Sequence, residues 1–268
     1  MRVVIVGASG RMGLAITRAA VEMGDVMFVG AIDRAGASVV GRDLGELAGL
    51  PAIGTRVTTD LAAALGDAEV VIDFSAASAT LGNLAACASA GVPIVIGTTG
   101  LDADVDGAAK RAALQIPVLI AANTSLGVTL LLELVRQAAR SLPTDFDIEI
   151  VEAHHRHKRD APSGTALALG RAASSGRDVE FQPSVLRHHA DGGVRPAGAI
   201  GYAVVRGGDV VGDHTVSFLG AGERVLLSHQ ATDRAIFARG ALRAAKFLST
   251  QAPGRYEMGD VIRLKSIV

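Results

Sequence analysis

Over roughly its first half, the chain alternates short apolar runs rich in β-branched residues with longer stretches of Ala and Leu. The apolar runs predict strands at Val3–Val6, Val26–Ile32, Val70–Phe74, Ile94–Ile96 and Val118–Ile120. Between them, helices are predicted at Arg11–Met23, Leu61–Leu65, Ala79–Ala90 and Ala103–Ala113. Strands apolar on both sides need helices on both faces, so the alternation predicts an α/β, Rossmann-type, doubly wound parallel sheet. Near Asn123 the rhythm changes. A helical stretch at Val128–Arg140 leads to a strand at Asp147–Glu152 and then to a polar, His-rich segment. Gly201–Arg206, Val210–Leu219 and Glu223–Gln230 follow as β-rich runs separated by Gly-containing turns. They predict meandering or mixed strands without crossover helices, hence a second α+β domain with a mixed sheet. The periodicity of the last helix, Ile236–Leu248, leaves open whether it packs back on the first domain.

The first strand runs into Gly7-Ala8-Ser9-Gly10-Arg11-Met12-Gly13 and then a helix. Glycine permits a tight turn and close approach of backbone N–H groups to a pyrophosphate, and the helix start adds unpaired donors and a favourable dipole. Gly7, Gly10 and Gly13 therefore form a candidate phosphate cradle, spaced G-x-x-G-x-x-G where the common fingerprint is G-x-G-x-x-G. Asp33 closes the second strand 20 residues after Gly13, where a carboxylate accepts from the ribose hydroxyls of NADH. Arg34 follows directly and suits the extra phosphate of NADPH, so use of either nucleotide is expected. Gly97-Thr98-Thr99-Gly100 and Ala121-Ala122-Asn123-Thr124-Ser125 sit at later strand ends, placed either to line the nicotinamide half or simply to cap helices.

Charge narrows the partners. Lys and Arg number 26 against 27 Asp and Glu, with no basic stripe interleaved with aromatics, which argues against nucleic acid and for a small molecule. The apolar run at the N-terminus is too short for a secretory signal, and no charge-free stretch approaches ~18 residues, so no membrane association and a cytoplasmic location are expected. The single cysteine, Cys87, lies in the Ala-rich run Leu84–Ala90 and reads as a packed thiol.

The densest reactive segment is Glu152-Ala153-His154-His155-Arg156-His157-Lys158-Arg159-Asp160-Ala161-Pro162-Ser163-Gly164-Thr165. It ends in a helix start at Ser163, Gly164 and Thr165, and a helix start beside Lys and His is an anion site. Hydride addition to a conjugated imine or ketone builds negative charge that a proton or a fixed cation must meet. Lys158 and His154 are the candidates for that work. His155 and Arg156 suit one substrate carboxylate, and the Ser163–Thr165 amides another. Three histidines in four residues also suggest zinc, but neighbours on an extended segment point to opposite faces and no further spacing completes a tetrahedron, so no metal is expected.

These motifs, with Arg206-Gly207-Gly208-Asp209-Val210-Val211-Gly212-Asp213-His214-Thr215, resemble the 4-hydroxy-tetrahydrodipicolinate (dihydrodipicolinate) reductase family over nearly the whole chain. The His-His-Arg…Lys…Pro-Ser-Gly-Thr block is the specific part. The resemblance implies NADH- or NADPH-dependent reduction of a small dicarboxylate in diaminopimelate and lysine biosynthesis. It implies His154 as proton donor or acceptor, Lys158 as proton donor, and His155 with Ser163, Gly164 and Thr165 as the substrate grip. Cofactor contacts would come from Gly7, Ala8, Ser9, Gly10, Arg11, Met12, Asp33, Arg34, Gly97, Thr98, Thr99, Ala121, Ala122, Asn123 and Thr124. It further implies a homotetramer built through the second domain's sheet, and domains at 1–125 (dinucleotide-binding), 126–235 (substrate-binding and oligomerisation) and 236–268 (returning to the first). Similar proteins commonly carry Phe where Thr124 stands, and often a proline after the strand that ends near Phe74. Two other readings compete: a semialdehyde or homoserine type dehydrogenase, the former needing a nucleophilic thiol that Cys87 would have to provide, and a nucleotide-sensing regulator without turnover.

Overall fold

The structure, a computed structural model, describes residues 1–181, 195 and 198–262. The chain divides into two units, one made of Met1–Leu126 with the chain from Ala235 onward, the other of Gly127–Arg234.

The first unit begins with β1 (Arg2–Val6), α1 (Arg11–Met23), β2 (Met27–Ile32), α2 (Leu44–Leu47), β3 (Val57–Thr58), α3 (Leu61–Ala64), β4 (Val70–Asp73), α4 (Ala77–Ala90), β5 (Ile94–Ile96), α5 (Ala103–Ala112) and β6 (Pro117–Ile120). The second holds α6 (Leu126–Ser141, entering from the last residue of the first), β7 (Asp147–His154), α7 (Gly164–Gly176), β8 (Ile200–Arg206), β9 (Gly212–Leu219) and β10 (Arg224–Ala231). The chain then returns to the first unit with α8 (Ala235–Leu248), β11 (Gly254–Tyr256) and α9 (Met258–Val261).

In the first unit, seven parallel strands run in the order β11-β6-β5-β4-β1-β2-β3. Successive side chains of β1 point to opposite faces, so Val3 and Ile5 join one core cluster while Val4 and Val6 join the other. The first cluster lies under α1 and α8, and the second under α4 and α5. This is the expected doubly wound sheet, covered on both faces as its continuous apolar runs require. The periodicity of α8 left its partner open; in the structure Ala238, Ala241, Leu242 and Ala245 bury themselves in the same cluster as β1. Sequence patterns missed α2, β3, β11 and α9, all of two to four residues.

The second unit is a four-stranded mixed sheet ordered β10-β9-β7-β8, with α6 and α7 packed on one face around Ile148, Ile150, Val216 and Phe218. The sheet is mixed, one of the two arrangements expected, and of the three later runs only β9 and β10 form a hairpin. β8 pairs in parallel with β7 across the sheet from β9, and α7 lies between β7 and β8 in the chain. A parallel pair cannot be closed by a hairpin, and strand-like periodicity carries no record of which neighbour is parallel. The other face is open, with Val151, Val205 and Leu226 at 40%, 52% and 60% exposure.

Two glycines test the first unit's packing. A Cβ at Gly240 on α8 would lie 1.8 Å from the Thr124 carbonyl oxygen, so backbone would have to move. At Gly82 on α4 an added Cβ meets nothing within 4 Å. Gly240→Ala should destabilise by about 1–3 kcal/mol although alanine is the better helix former, whereas Gly82→Ala should stabilise by about 0.5–1 kcal/mol. Denaturant titration of both variants checks this; equal shifts would contradict the close approach of α8 to Thr124.

Candidate functional site

The loops of the first unit that carry the candidate nucleotide residues leave one edge of the sheet. Register places Ile32, Val6, Asp73, Ile96 and Ile120 in a single row across β2, β1, β4, β5 and β6. Gly7, Asp33, Phe74, Gly97 and Ala121 each follow a member of that row, at the carboxyl ends where open α/β sheets bind ligands.

The turn after β1 is held from within. The Gly7 and Ala8 amides donate to the Ile32 carbonyl at 2.9 and 3.1 Å, the Gly10 amide to the Gly7 carbonyl at 3.0 Å, and the Ser9 amide to Asp33 Oδ2 at 2.9 Å. Gly7 sits at φ +78°, and a Cβ on Gly13 would lie 2.4 Å from the Gly7 carbonyl oxygen, so both positions require glycine. The three glycines thus shape the turn. The donors that a helix start leaves unpaired are the Arg11, Met12 and Gly13 amides at the beginning of α1, and these suit a pyrophosphate. Asp33 accepts from the Ser9 amide, the Ser9 hydroxyl (2.6 Å) and the Arg34 amide (2.9 Å), which leaves room on a carboxylate of about four lone-pair positions for a ribose hydroxyl. Burial works to raise the Asp33 pKa, but the Ser9 and Arg34 hydrogen bonds outweigh it and hold the group below its ordinary value. Arg34 is exposed beside it. The donor set therefore fits a dinucleotide.

The later turns are less accessible than their sequence suggests. Gly97 is required because a Cβ there would lie 2.1 Å from the Phe74 ring. Thr98 donates its hydroxyl to the Ser75 carbonyl (3.1 Å), while Thr99 is exposed. This turn caps no helix, since Asp102 caps α5. Ala122 is exposed, Ala121 is buried, and Asn123 Oδ1 accepts from the Ser125 amide at 2.9 Å. Thr124 is buried, with its hydroxyl donating to the Phe237 carbonyl of α8 at 2.7 Å. The Thr124 side chain thus belongs to the contact with α8, leaving its backbone for any ligand. Cys87 is fully buried, and burial followed by the charge of Asp73 pushes its thiol up to about 12, which rules it out as a nucleophile.

In the second unit, the inward row of β7 runs Ile148, Ile150, Glu152, His154, so its apolar half ends in a carboxylate and an imidazole. Register sets Glu152 opposite His214 of β9 and His154 opposite Arg206 of β8. Glu152 Oε1 accepts from Arg206 Nη2 at 3.0 Å and from the Ser163 amide at 2.9 Å, and Oε2 pairs with His154 Nδ1. Ser163 Oγ lies 3.1 Å from His214 Nε2, and the His154 and His214 rings meet edge to face at 5.1 Å. Arg206 also donates to the Asp160 carbonyl at 2.7 Å, and Lys158 Nζ pairs with Asp160 Oδ2 at 2.9 Å.

The expected charged segment is thereby split. His154 faces inward, Lys158 and His155 are half-buried beside it, and Arg156 and His157 are exposed. Ser163 must be corrected as a direct anion donor. Its amide is committed to Glu152 and its hydroxyl caps the Ala166 amide at 3.2 Å, so it supports the site from behind while Gly164 and Thr165 open α7. His154, His155 and His157 do not converge; among the described residues the group that does is Glu152, His154 and His214, with one ligand atom from each within 4.8 Å of the others. A cation there would compete with Arg206, which already neutralises the carboxylate, so the three read as a hydrogen-bonded cluster. Among the described residues no helix is long and apolar enough to cross a membrane.

Residues 1–124 match the family model described as dihydrodipicolinate reductase, N-terminus, and residues 127–262 the one described as dihydrodipicolinate reductase, C-terminus. The 4-hydroxy-tetrahydrodipicolinate reductase of Thiobacillus denitrificans is 51% identical over 267 residues, 99% of each chain. That of Anaeromyxobacter dehalogenans is 48% identical over 266 residues, 98% of each. A dipicolinate-bound dihydrodipicolinate reductase from Paenisporosarcina sp. TG-14 shares the fold at TM-score 0.75 and 23% identity, covering 96% of this chain and 97% of its own.

Protonation in the cluster follows from burial. His214 is lowered to about 4 by burial, then by the His154 charge, and His154 is lowered chiefly by burial, with Glu152 opposing and Lys158 and Arg206 assisting. Burial works to raise Glu152, but Arg206, Ser163 and His154 outweigh it and hold the carboxyl below its ordinary value. A histidine lowered on folding gives stability that is complete above its unfolded pKa near 6.5 and lost as pH falls toward the folded value. Going from pH 7 to pH 4, His214 should therefore cost on the order of 3 kcal/mol. Melting temperature against pH should fall across that window and fall less steeply in His214→Gln; parallel curves would contradict the buried, neutral ring.

Proposed function

The chain belongs to the dihydrodipicolinate reductase family, and from that membership we propose that it catalyses the NAD(P)H-dependent reduction of 4-hydroxy-tetrahydrodipicolinate (dihydrodipicolinate) to tetrahydrodipicolinate, a step of diaminopimelate and lysine biosynthesis. The observation that carries the reading is that the family match runs through both units, so the nucleotide turn and the His154/Lys158 segment belong to one matched chain.

When bound, the reduced nicotinamide supplies the hydride. The Arg11 and Met12 amides hold the pyrophosphate over the turn shaped by Gly7, Ala8, Ser9 and Gly10. Asp33 accepts from the adenosine ribose, Arg34 meets a 2′-phosphate, and their adjacency supports use of either NADH or NADPH. Gly97, Thr98 and Thr99 with Ala121, Ala122, Asn123 and Thr124 border the nicotinamide half, Thr98 and Thr124 through backbone because their hydroxyls are engaged.

Loss of the substrate hydroxyl as water and gain of a hydride leave one proton to be supplied. Lys158 donates it, and His154, kept neutral at pH 7 by burial, accepts or relays a proton. His155 grips one carboxylate, and the Gly164 and Thr165 backbone at the α7 start grips the other. Open apolar residues on the second sheet, Val151, Val205 and Leu226, support its use in a homotetramer, and a cytoplasmic location belongs to the same reading.

Lys158→Ala and His154→Ala should each lower kcat by about 10²–10⁴-fold with NADH affinity unchanged. Cofactor oxidation with freshly generated substrate, alongside NADH titration, checks this; near-normal turnover in both variants would sink the role assignment. No oxidation by the unsubstituted protein would favour a nucleotide sensor. Sedimentation should find four chains together, and Leu226→Lys should shift the population to smaller species; an unaltered profile would place the contact elsewhere.

A further inference from the structure

Glu152 stands outside the roles assigned so far, although it is buried to 1% exposure at the centre of the second unit's cluster. Its two oxygens are used differently. Oε1 takes two donors, the Ser163 amide and Arg206 Nη2, whereas Oε2 faces only His154 Nδ1. Apart from this close contact with each other, neither Oε2 nor Nδ1 has a hydrogen-bond partner among the described residues, and buried polar atoms rarely go without one. An ionised carboxylate can only accept, so the ring must place a proton on Nδ1. His154 Nε2 points toward Gly212, where a Cβ would lie 3.0 Å away, so the missing side chain keeps that nitrogen uncrowded.

We propose that Glu152 is a positioning residue: it fixes His154 as the Nδ1–H tautomer, making Nε2 the atom that exchanges a proton, and Gly212 leaves that atom open. This rests on the role given to His154 above. A glutamine at 152 cannot reproduce the arrangement. Its single oxygen would be claimed by the Ser163 and Arg206 donors, turning its NH₂ toward Nδ1 and driving the ring proton to Nε2.

The test combines Glu152→Gln, Glu152→Asp, His154→Ala and the Glu152→Gln/His154→Ala double variant. Imidazole spectra of histidine-labelled protein should find Nδ1–H at His154 in the unsubstituted chain and Nε2–H in Glu152→Gln. The pH limb of kcat/KM that His154→Ala abolishes should move down by about one unit in Glu152→Gln, since the negative charge that favours the imidazolium is gone. Turnover should fall about 10²-fold with NADH affinity unchanged, be partly rescued in Glu152→Asp, and show less than a twofold further loss when Glu152→Gln is added to His154→Ala. Independent, multiplicative losses, or an unmoved limb, would overturn the proposal. Nε2–H in the unsubstituted chain would do so even if Glu152→Gln failed to fold. Near-normal turnover in His154→Ala would instead remove the parent reading, leaving the spectra to report whether Glu152 sets the tautomer.

Discussion

A carboxylate cannot leave water without partners, and the second unit is arranged around one that has done so. Removing an ion of this size from water costs several kcal/mol, and removing one partner of a buried pair costs about 3–5 kcal/mol. Glu152 meets this demand with donors from three places: His154 two residues along β7, Arg206 at the end of β8, and the Ser163 amide before α7. The parallel pairing of β8 with β7 puts Arg206 opposite His154, and a β8 in any other register would leave the carboxylate short of its cation. One buried charge therefore ties together two strand ends, a helix start and the imidazole proposed to carry protons.

The two units present chemistry in different ways. In the first, the strands of an apolar sheet end in one register row with the candidate loops beyond it, so most of the groups on offer are backbone amides at a helix start. In the second, the polar groups replace core residues inside the sheet, where side chains must satisfy one another before anything else binds. Lys158 escapes that constraint because it sits on the loop after β7, paired with the exposed carboxylate of Asp160.

Much of this was legible in the chain itself. Continuous apolar runs marked β1, β4, β5 and β6, helical periodicity marked α1 over Arg11–Met23, and the glycine turn and Asp33 do lie together at the carboxyl edge of the first sheet. Patterns did not reveal β3 and β11, which are too short for a period and owe their existence to pairing with β2 and β6. The cluster was only half visible. His154 and Lys158 stood out in a dense charged segment, but Glu152, Arg206 and His214 are brought together by register across three strands, which lies beyond any local window. A faint signal was present: Ile148, Ile150, Glu152 and His154 share one face by alternation, so a carboxylate continuing an apolar row was bound to be buried. Ser163 was misjudged because a helix-start amide was counted as available when a distant carboxylate already held it.

The return of α8 has a consequence for how the molecule comes into being. Ala238, Ala241, Leu242 and Ala245 cover the face of the sheet that also holds Val95 and Leu119, yet they follow the whole of the second unit in the chain. During synthesis from the N-terminus, β1 through β6 emerge while that face is still bare, and the inserted unit, complete in its own stretch of chain, has every element it needs earlier. The first unit is thus the earlier part in order of translation and the later to mature, its apolar flank bare until the ribosome delivers the missing helix.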